Sequence, residues 1–166
     1  MPGYYYKRIS NKGSHYRATK RHNNMIVNYK VLHPNLAPKR AVDSDVGYDI
    51  RSAIEKVLNP KQTQKIPTGL YLELPRNTFG MVCSKSGLVL NYGIVVPNSP
   101  GIIDSGYRGQ IQVILKNTSD TQYLISHHTK VAQLIILTYC DIKMTPLSQL
   151  GDTARGSKGF GSTGLE

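Results

Sequence analysis

Apolar residues along the chain come in short runs, at 26–32, 69–74, 80–83, 93–96, 110–115, 123–126 and 131–140. Val, Ile, Leu and Tyr fill these runs, and Gly, Pro, Asn, Asp and Ser separate them. Ile111, Val113 and Leu115 alternate with Gln112 and Ile114, and Leu70, Leu72 and Leu74 alternate with Tyr71 and Glu73. Successive side chains of a strand point to opposite faces, so both runs predict strands with one buried face. No i, i+3, i+4, i+7 stripe lasts three turns, and one short helix is predicted at 86–91. Many short strands predict an all-β sandwich, jelly roll or barrel.

The two ends depart from this pattern. Residues 1–28 show neither period and are rich in Tyr, Lys, Arg, Asn and Gly, which predicts a disordered or loosely attached arm. Residues 151–166 hold Gly151, Gly156, Gly159, Gly161 and Gly164, with Ser157, Ser162, Thr163, Arg155 and Lys158 among them. Between them, 29–150 reads as one β domain. The Gly-rich segment suits wrapping around an anion, because Gly lets backbone N–H groups approach closely. Phe160 within it suggests a stacking platform, and a plain Gly/Ser tail is the alternative.

Charge sharpens this division. The net charge is +11, and residues 1–42 hold nine Lys or Arg and no Asp or Glu. The rest of the chain holds twelve Lys or Arg against ten Asp or Glu. The excess therefore belongs to an arm and not to the domain. Residues 1–28 read either as a solvated tail or as a nonspecific contact with nucleic acid or an acidic partner, nuclear import through Lys20-Arg21 included. The 166 residues suffice for one compact core. No apolar run approaches the roughly 20 residues of a membrane span, and no apolar run marks a secretory signal. Two cysteines, Cys83 and Cys140, exclude a disulfide framework and suit a reducing compartment. The expectation is an intracellular protein of cytoplasm or nucleus, with no membrane contact.

Polar clusters interrupt the strands. Ser84-Lys85-Ser86-Gly87 offers two hydroxyls, a cation and an open amide, a set suited to phosphate oxygens. A serine hydrolase is disfavoured, because no Gly-x-Ser-x-Gly elbow is present. Ser105-Gly106 reads as a tight hairpin turn between two strands, with Asp104 at its entrance and Tyr107 at its exit. A carboxylate there could orient a water, and the phenol ring could pack on a ligand. His127, His128 and Asp141 form no ligand spacing and read as surface residues. No metal site made by protein alone is evident, so any Mg2+ would arrive with a substrate.

Five segments, in this order and spacing, resemble those of the trimeric dUTP pyrophosphatases (dUTPases). They are Val46-Gly47-Tyr48-Asp49-Ile50, Ser84-Lys85-Ser86-Gly87-Leu88, the run from Gly101 through Asp104-Ser105-Gly106-Tyr107 to Gly109, Val131-Ala132-Gln133-Leu134-Ile135, and the run from Arg155 through Phe160 to Gly164. The resemblance spans about residues 29–166. It implies a β jelly roll assembled as a C3 homotrimer, with active sites at subunit interfaces and a C-terminal arm, 151–166, closing over them. The implied reaction is dUTP and water to dUMP and pyrophosphate, which sanitises the nucleotide pool and supplies dUMP for dTMP synthesis. Mg2+ would be held through the triphosphate and water, with no direct protein ligand.

The resemblance also implies roles. Asp104 would activate the attacking water. Tyr107 would pack on the deoxyribose and exclude a 2′-OH. Asn98 and the backbone around Gly101 and Ile103 would read the uracil edge. Ser86, Gly87 and Gln133 would hold phosphate oxygens, with Lys85 supplying charge. Arg155, Gly161, Ser162 and Thr163 would clamp the triphosphate, Phe160 would stack on uracil, and Asp49 would be a supporting carboxylate. This chain departs from the pattern at three places. Lys85 replaces a usual Arg and loses its bidentate fork, which should weaken triphosphate binding. His128-Thr129 replaces a usual Gly-Asp turn, and Lys158 a usual Gly. Two other readings are a regulatory protein acting through the basic arm, and a dCTP deaminase. The deaminase needs a catalytic Glu, and Glu occurs only at 55, 73 and 166.

Overall fold

The computed structural model describes residues 25–157 and 159. Residues 1–24 of the expected arm, together with Lys158, Phe160, Gly161, Ser162 and Thr163, lie outside the described residues. The strands are β1 (Asn28–Val31), β2 (Tyr48–Arg51), β3 (Lys56–Leu58), β4 (Thr63–Pro67), β5 (Leu70–Glu73) and β6 (Thr78–Cys83). Helix α1 (Ser86–Tyr92) follows, then β7 (Ile94–Val95), β8 (Gly101–Asp104), β9 (Gln112–Asn117), β10 (Tyr123–Ile125) and β11 (Lys130–Thr138). They pair antiparallel as β1-β5, β10-β3, β2-β11-β6-β8 and β4-β9-β7. This is an all-β jelly-roll arrangement around one apolar core.

The alternation read from the sequence does build that core. Ile111, Val113 and Leu115 are buried, as are Leu70, Leu72 and Leu74, while Gln112 and Glu73 face outward. Helix α1 covers the predicted 86–91. It stops at Gly93, whose φ of +64° lets its N–H reach the carbonyls of Leu88 and Val89. A side chain there would also meet Thr118 Oγ1, at 2.9 Å.

Three strands, β2, β3 and β4, escape the apolar-run reading. Their sequences are mixed and polar, and each gains its ladder from a strand distant in sequence. The expected hairpin is corrected. Asp104 to Tyr107 does form a turn, with Tyr107 N–H donating to the Asp104 carbonyl at 3.0 Å. However, β8 pairs with β6, whereas β9 pairs with β4 and β7. The turn is a corner between two sheets, because Ile111 bonds instead to Leu70, N to O at 2.8 Å. The turn before β11 is made without glycine: His128 takes φ +64° itself. Its N–H donates to Ser52 O and its carbonyl accepts from Arg51 Nη1 at 2.8 Å.

Asn117, fully buried at the end of β9, ties that strand to the end of β3 and to the loop that follows β9. Its Nδ2 donates to the carbonyls of Leu58 (3.1 Å) and Thr121 (2.7 Å), and its Oδ1 accepts from Ser119 N and Oγ. Asn117→Ala leaves two carbonyls short of a donor, and is expected to cost about 2–3 kcal/mol. Denaturant unfolding measures this; an unchanged midpoint would show that water replaces the amide without loss.

Candidate functional site

Two groups of polar residues lie on the outward face of the β2-β11-β6-β8 sheet. The first gathers where β2, β11 and the end of β6 meet. Asp49 stands directly opposite Gln133, and Gln133 directly opposite Cys83. Lys85 Nζ donates to Asp49 Oδ1, and Lys130 Nζ to Asp49 Oδ2 at 2.7 Å. Gln133 Nε2 donates to Ser84 O at 3.2 Å, tying β11 to the loop that carries Lys85, Ser86 and Gly87. Gly47 packs against Gln133, and a Cβ there would come within 2.9 Å of Gln133 Oε1 and push that amide aside. Gly47, Asp49, Lys85, Lys130 and Gln133 line a cleft of about 350 Å³ with Ala41, Asp45, Val46 and Ile135.

Beside this cleft the chain turns from β6 into α1. Lys85 occupies the N-cap of α1 in extended conformation, so Ser86 and Gly87 open the helix, exposed. Nothing lies within 4 Å of the position a Gly87 side chain would take. Ser84 is occupied otherwise: its Oγ accepts from Val96 N at 2.8 Å. That bond gives it a structural part and argues against a nucleophile.

The second group belongs to β8 and the corner after it. Asp104 is exposed and pairs across with Phe79 of β6. It lines a cleft of about 340 Å³ with Ile103, Tyr107, Gln110 and Lys65. The Tyr107 ring lies over Gly109, where any side chain would collide with it, and its hydroxyl donates to Gln110 O at 3.1 Å. Asn98 is exposed and packs beside Gly101, at the other end of β8. Arg155 is exposed, beside the turn from Thr153 to Gly156.

Among the described residues, the cleft lined by Lys85 and Gln133 and the cleft lined by Asp104 and Tyr107 share no lining residue. Phe79 and Cys83 are four residues apart, so the Asp104 row and the Gln133 row are separated by about 13 Å along β6. Ile135, Met81 and Ile102 occupy the row between them, and Ile102 is 55% exposed. An apolar row offers phosphate no donor.

Sequence reasoning missed Lys130, Gly47 and Lys65. Lys130 is the basic residue that follows the turn before the fourth segment, but three residues from Gln133 an even strand would turn it to the other face. Gly47 lay within a recognised segment, but its part depends on where Gln133 folds back. Lys65 belongs to β4, which the apolar pattern did not reveal.

Comparison with known proteins identifies the family. A dUTPase family model matches residues 34–164. A deoxyuridine 5′-triphosphate nucleotidohydrolase of Alkaliphilus metalliredigens is 43% identical over 134 residues, covering 80% of this chain and 93% of that protein. One from Clostridioides difficile is 40% identical over 139 residues, covering 84% and 94%. Among solved structures, the Staphylococcus bacteriophage 80alpha dUTPase with dUpNHpp superposes with a TM-score of 0.78. It is 27% identical, and the match covers 84% of this chain and 99% of that one.

Burial opposes the charge of Asp49, but the hydrogen bonds and charges of Lys130 and Lys85 outweigh it, and its pKa lies below the ordinary 3.8. A depressed folded-state pKa means that the ionised carboxylate stabilises the fold. That contribution is complete above the unfolded value and is lost as pH falls through the folded one. Asp49→Asn is therefore expected to lower Tm at neutral pH, with the gap to wild type closing once pH drops below 3.8. Thermal unfolding across pH checks this, and a gap independent of pH would assign the effect to packing.

Proposed function

The chain belongs to the dUTPase family, and on that footing we propose that it hydrolyses dUTP to dUMP and pyrophosphate. The observation that carries this reading is the family match over 34–164, which spans both polar groups of the sheet face. Asp104 orients a water and takes its proton as the oxygen attacks the α-phosphorus. The bond from that phosphorus to the β-bridging oxygen breaks, and pyrophosphate leaves. Such a displacement needs positioning and charge neutralisation more than covalent catalysis. Ser86, the Gly87 amide and Gln133 hold phosphate oxygens, and Lys85 adds charge. Tyr107 packs on the deoxyribose and leaves no room for a 2′-OH, while Asn98 and the backbone from Gly101 to Ile103 read the uracil edge. Residues 151–166 act as an arm: Arg155, Gly161, Ser162 and Thr163 grip the triphosphate, Phe160 stacks on the base, and closure excludes water.

A homotrimer fits this reading. The two polar groups are kept apart by an open apolar row, so a nucleotide held by the Gln133 group of one copy can meet the Asp104 group of another. Covering Phe79, Met81, Ile102, Ile135 and Leu137 with a neighbour would bury that row and complete the site together. The donor set suits a magnesium ion carried by the nucleotide. Both oxygens of Asp49 are engaged by ammonium groups, and the described residues bring no three His, Cys, Asp or Glu together. The ion, held by phosphate oxygens and water, would neutralise charge on the triphosphate. Among the described residues no helix is long and apolar enough to cross a membrane. The free cysteines Cys83 and Cys140 fit an intracellular enzyme, and the basic residues 1–28 fit contact with an acidic partner.

Pyrophosphate release with Mg2+ should be confined to dUTP when UTP, dTTP and dCTP are offered at equal concentration. Turnover of all four would overturn the roles of Tyr107 and Asn98. Asp104→Asn should lower turnover about 10²–10⁴-fold while leaving dUTP binding intact, the usual scale for a general base. Mixing Asp104→Asn with Gln133→Ala protomers, after dissociation and reassembly, should restore activity above either parent. No recovery would place each site within one chain. Removing residues 156–166 should strongly reduce turnover without unfolding the protein, and unchanged kinetics would refute arm closure.

A further inference from the structure

The side chain of Lys130 reaches the site through an irregularity of β11. Regular alternation would turn Lys130 and Gln133, three residues apart, to opposite faces. The pairing of β11 with β2 shifts register between Lys130 and Ala132, so Lys130 stands opposite Arg51 while Gln133 stands opposite Asp49. Arg51 and Asp49 are two residues apart and share a face. The bulge therefore brings Lys130 onto the face of Gln133, in the manner of bulges that re-aim one side chain beside a functional site.

There it completes an unequal arrangement of charge. One carboxylate, with a side chain only 10% exposed, receives two ammonium groups, one on each oxygen. A pair of Asp49 and Lys85 alone would be neutral, with one of the three Lys85 N–H donors taken by the carboxylate. Two cations on one anion leave the Asp49 cluster itself with a surplus positive charge beside Gln133, while Asp45, the other carboxylate of the cleft, has its Oδ2 taken by the Val42 N–H at 3.0 Å. The surrounding cleft is lined by Lys130 as well as Lys85.

We propose that Lys130 is a positioning residue for the phosphate half of the site: it saturates the second oxygen of Asp49, so that Lys85 is aimed by Asp49 yet keeps charge for the substrate's phosphates. The inference rests on the dUTPase reading and assigns a part to a residue which that reading left without one. Lys130 acts through Asp49 and Lys85, not by touching the reacting atoms.

The test uses the full chain as wild type, Lys130→Met, Lys130→Arg, Asp49→Asn and the Lys130→Met/Asp49→Asn double variant. Thermal unfolding first confirms that each folds. Lys130→Met should raise both the KM for dUTP and the Kd for inorganic tripolyphosphate about tenfold, the scale of one charge-assisted hydrogen bond, with kcat changed little. Inhibition by dUMP, which lacks the β- and γ-phosphates, should stay as in wild type. Lys130→Arg should restore the affinity. In the Asp49→Asn background, Lys130→Met should cause no further loss. Unchanged tripolyphosphate affinity in Lys130→Met would overturn the proposal. So would an equal loss with and without Asp49, which would make Lys130 a direct phosphate contact. Tripolyphosphate binding weakened by Lys130→Met, in a chain whose wild type fails to hydrolyse dUTP, would uphold the clamp and sink the enzymatic reading.

Discussion

The antiparallel ladder between β6 and β11 fixes everything else about the site. Its register runs from Thr78 against Thr138 to Cys83 against Gln133. That register sends Val82 and Leu134 into the core and turns Gln133, Ile135 and Leu137 outward. A slip of one residue would exchange the two sets, exposing the core residues and burying Gln133. The edge strands inherit the same choice. β2 docks on β11 and sets Asp49 against Gln133, and β8 docks on β6 and sets Asp104 against Phe79. The end of β6 then aims Lys85, Ser86 and Gly87 into the start of α1. Hydrophobic burial on one face thus positions the polar chemistry on the other.

The sequence is most legible where burial alone decides. The alternating runs around Leu72 and Val113 are strands with the expected faces inward, and α1 lies where the short helix was read. The polar strands β2, β3 and β4 are illegible for a physical reason. Their ladders come from residues tens of positions away, and their own side chains show little of that pairing. Ser105-Gly106 shows the same limit from the other side. Turn chemistry is local and was read correctly, whereas the strands flanking it join different sheets through bonds such as Ile111 to Leu70. Asp104 and Tyr107 could be read as neighbours because the turn suffices to bring them together. Lys130 could not, because only the bulge in β11 carries it across.

Two of the departures read in the sequence, at His128 and at Lys85, are absorbed in different ways. At His128 the backbone takes the left-handed conformation that glycine would adopt freely, held by Ser52 and Arg51 on either side. The cost of that conformation is modest for histidine, which tolerates it better than most residues do. The turn, and with it the start of β11, is therefore kept without glycine.

The second substitution, Lys85 in place of the usual Arg, alters chemistry more than shape. A guanidinium could meet Asp49 with one edge and still present further N–H groups to a phosphate. An ammonium is a point charge, and here it sits on Asp49. Left with that single partner, Asp49 would hold Lys85 as one half of a neutral pair facing a polyanion. The second ammonium changes this balance. By taking the other oxygen of Asp49, Lys130 lowers the hold of that carboxylate on Lys85 and leaves the cluster positive. A Lys at 85 thus makes the site depend more heavily on Lys130, and so on the one-residue bulge of β11 that brings Lys130 to the same face.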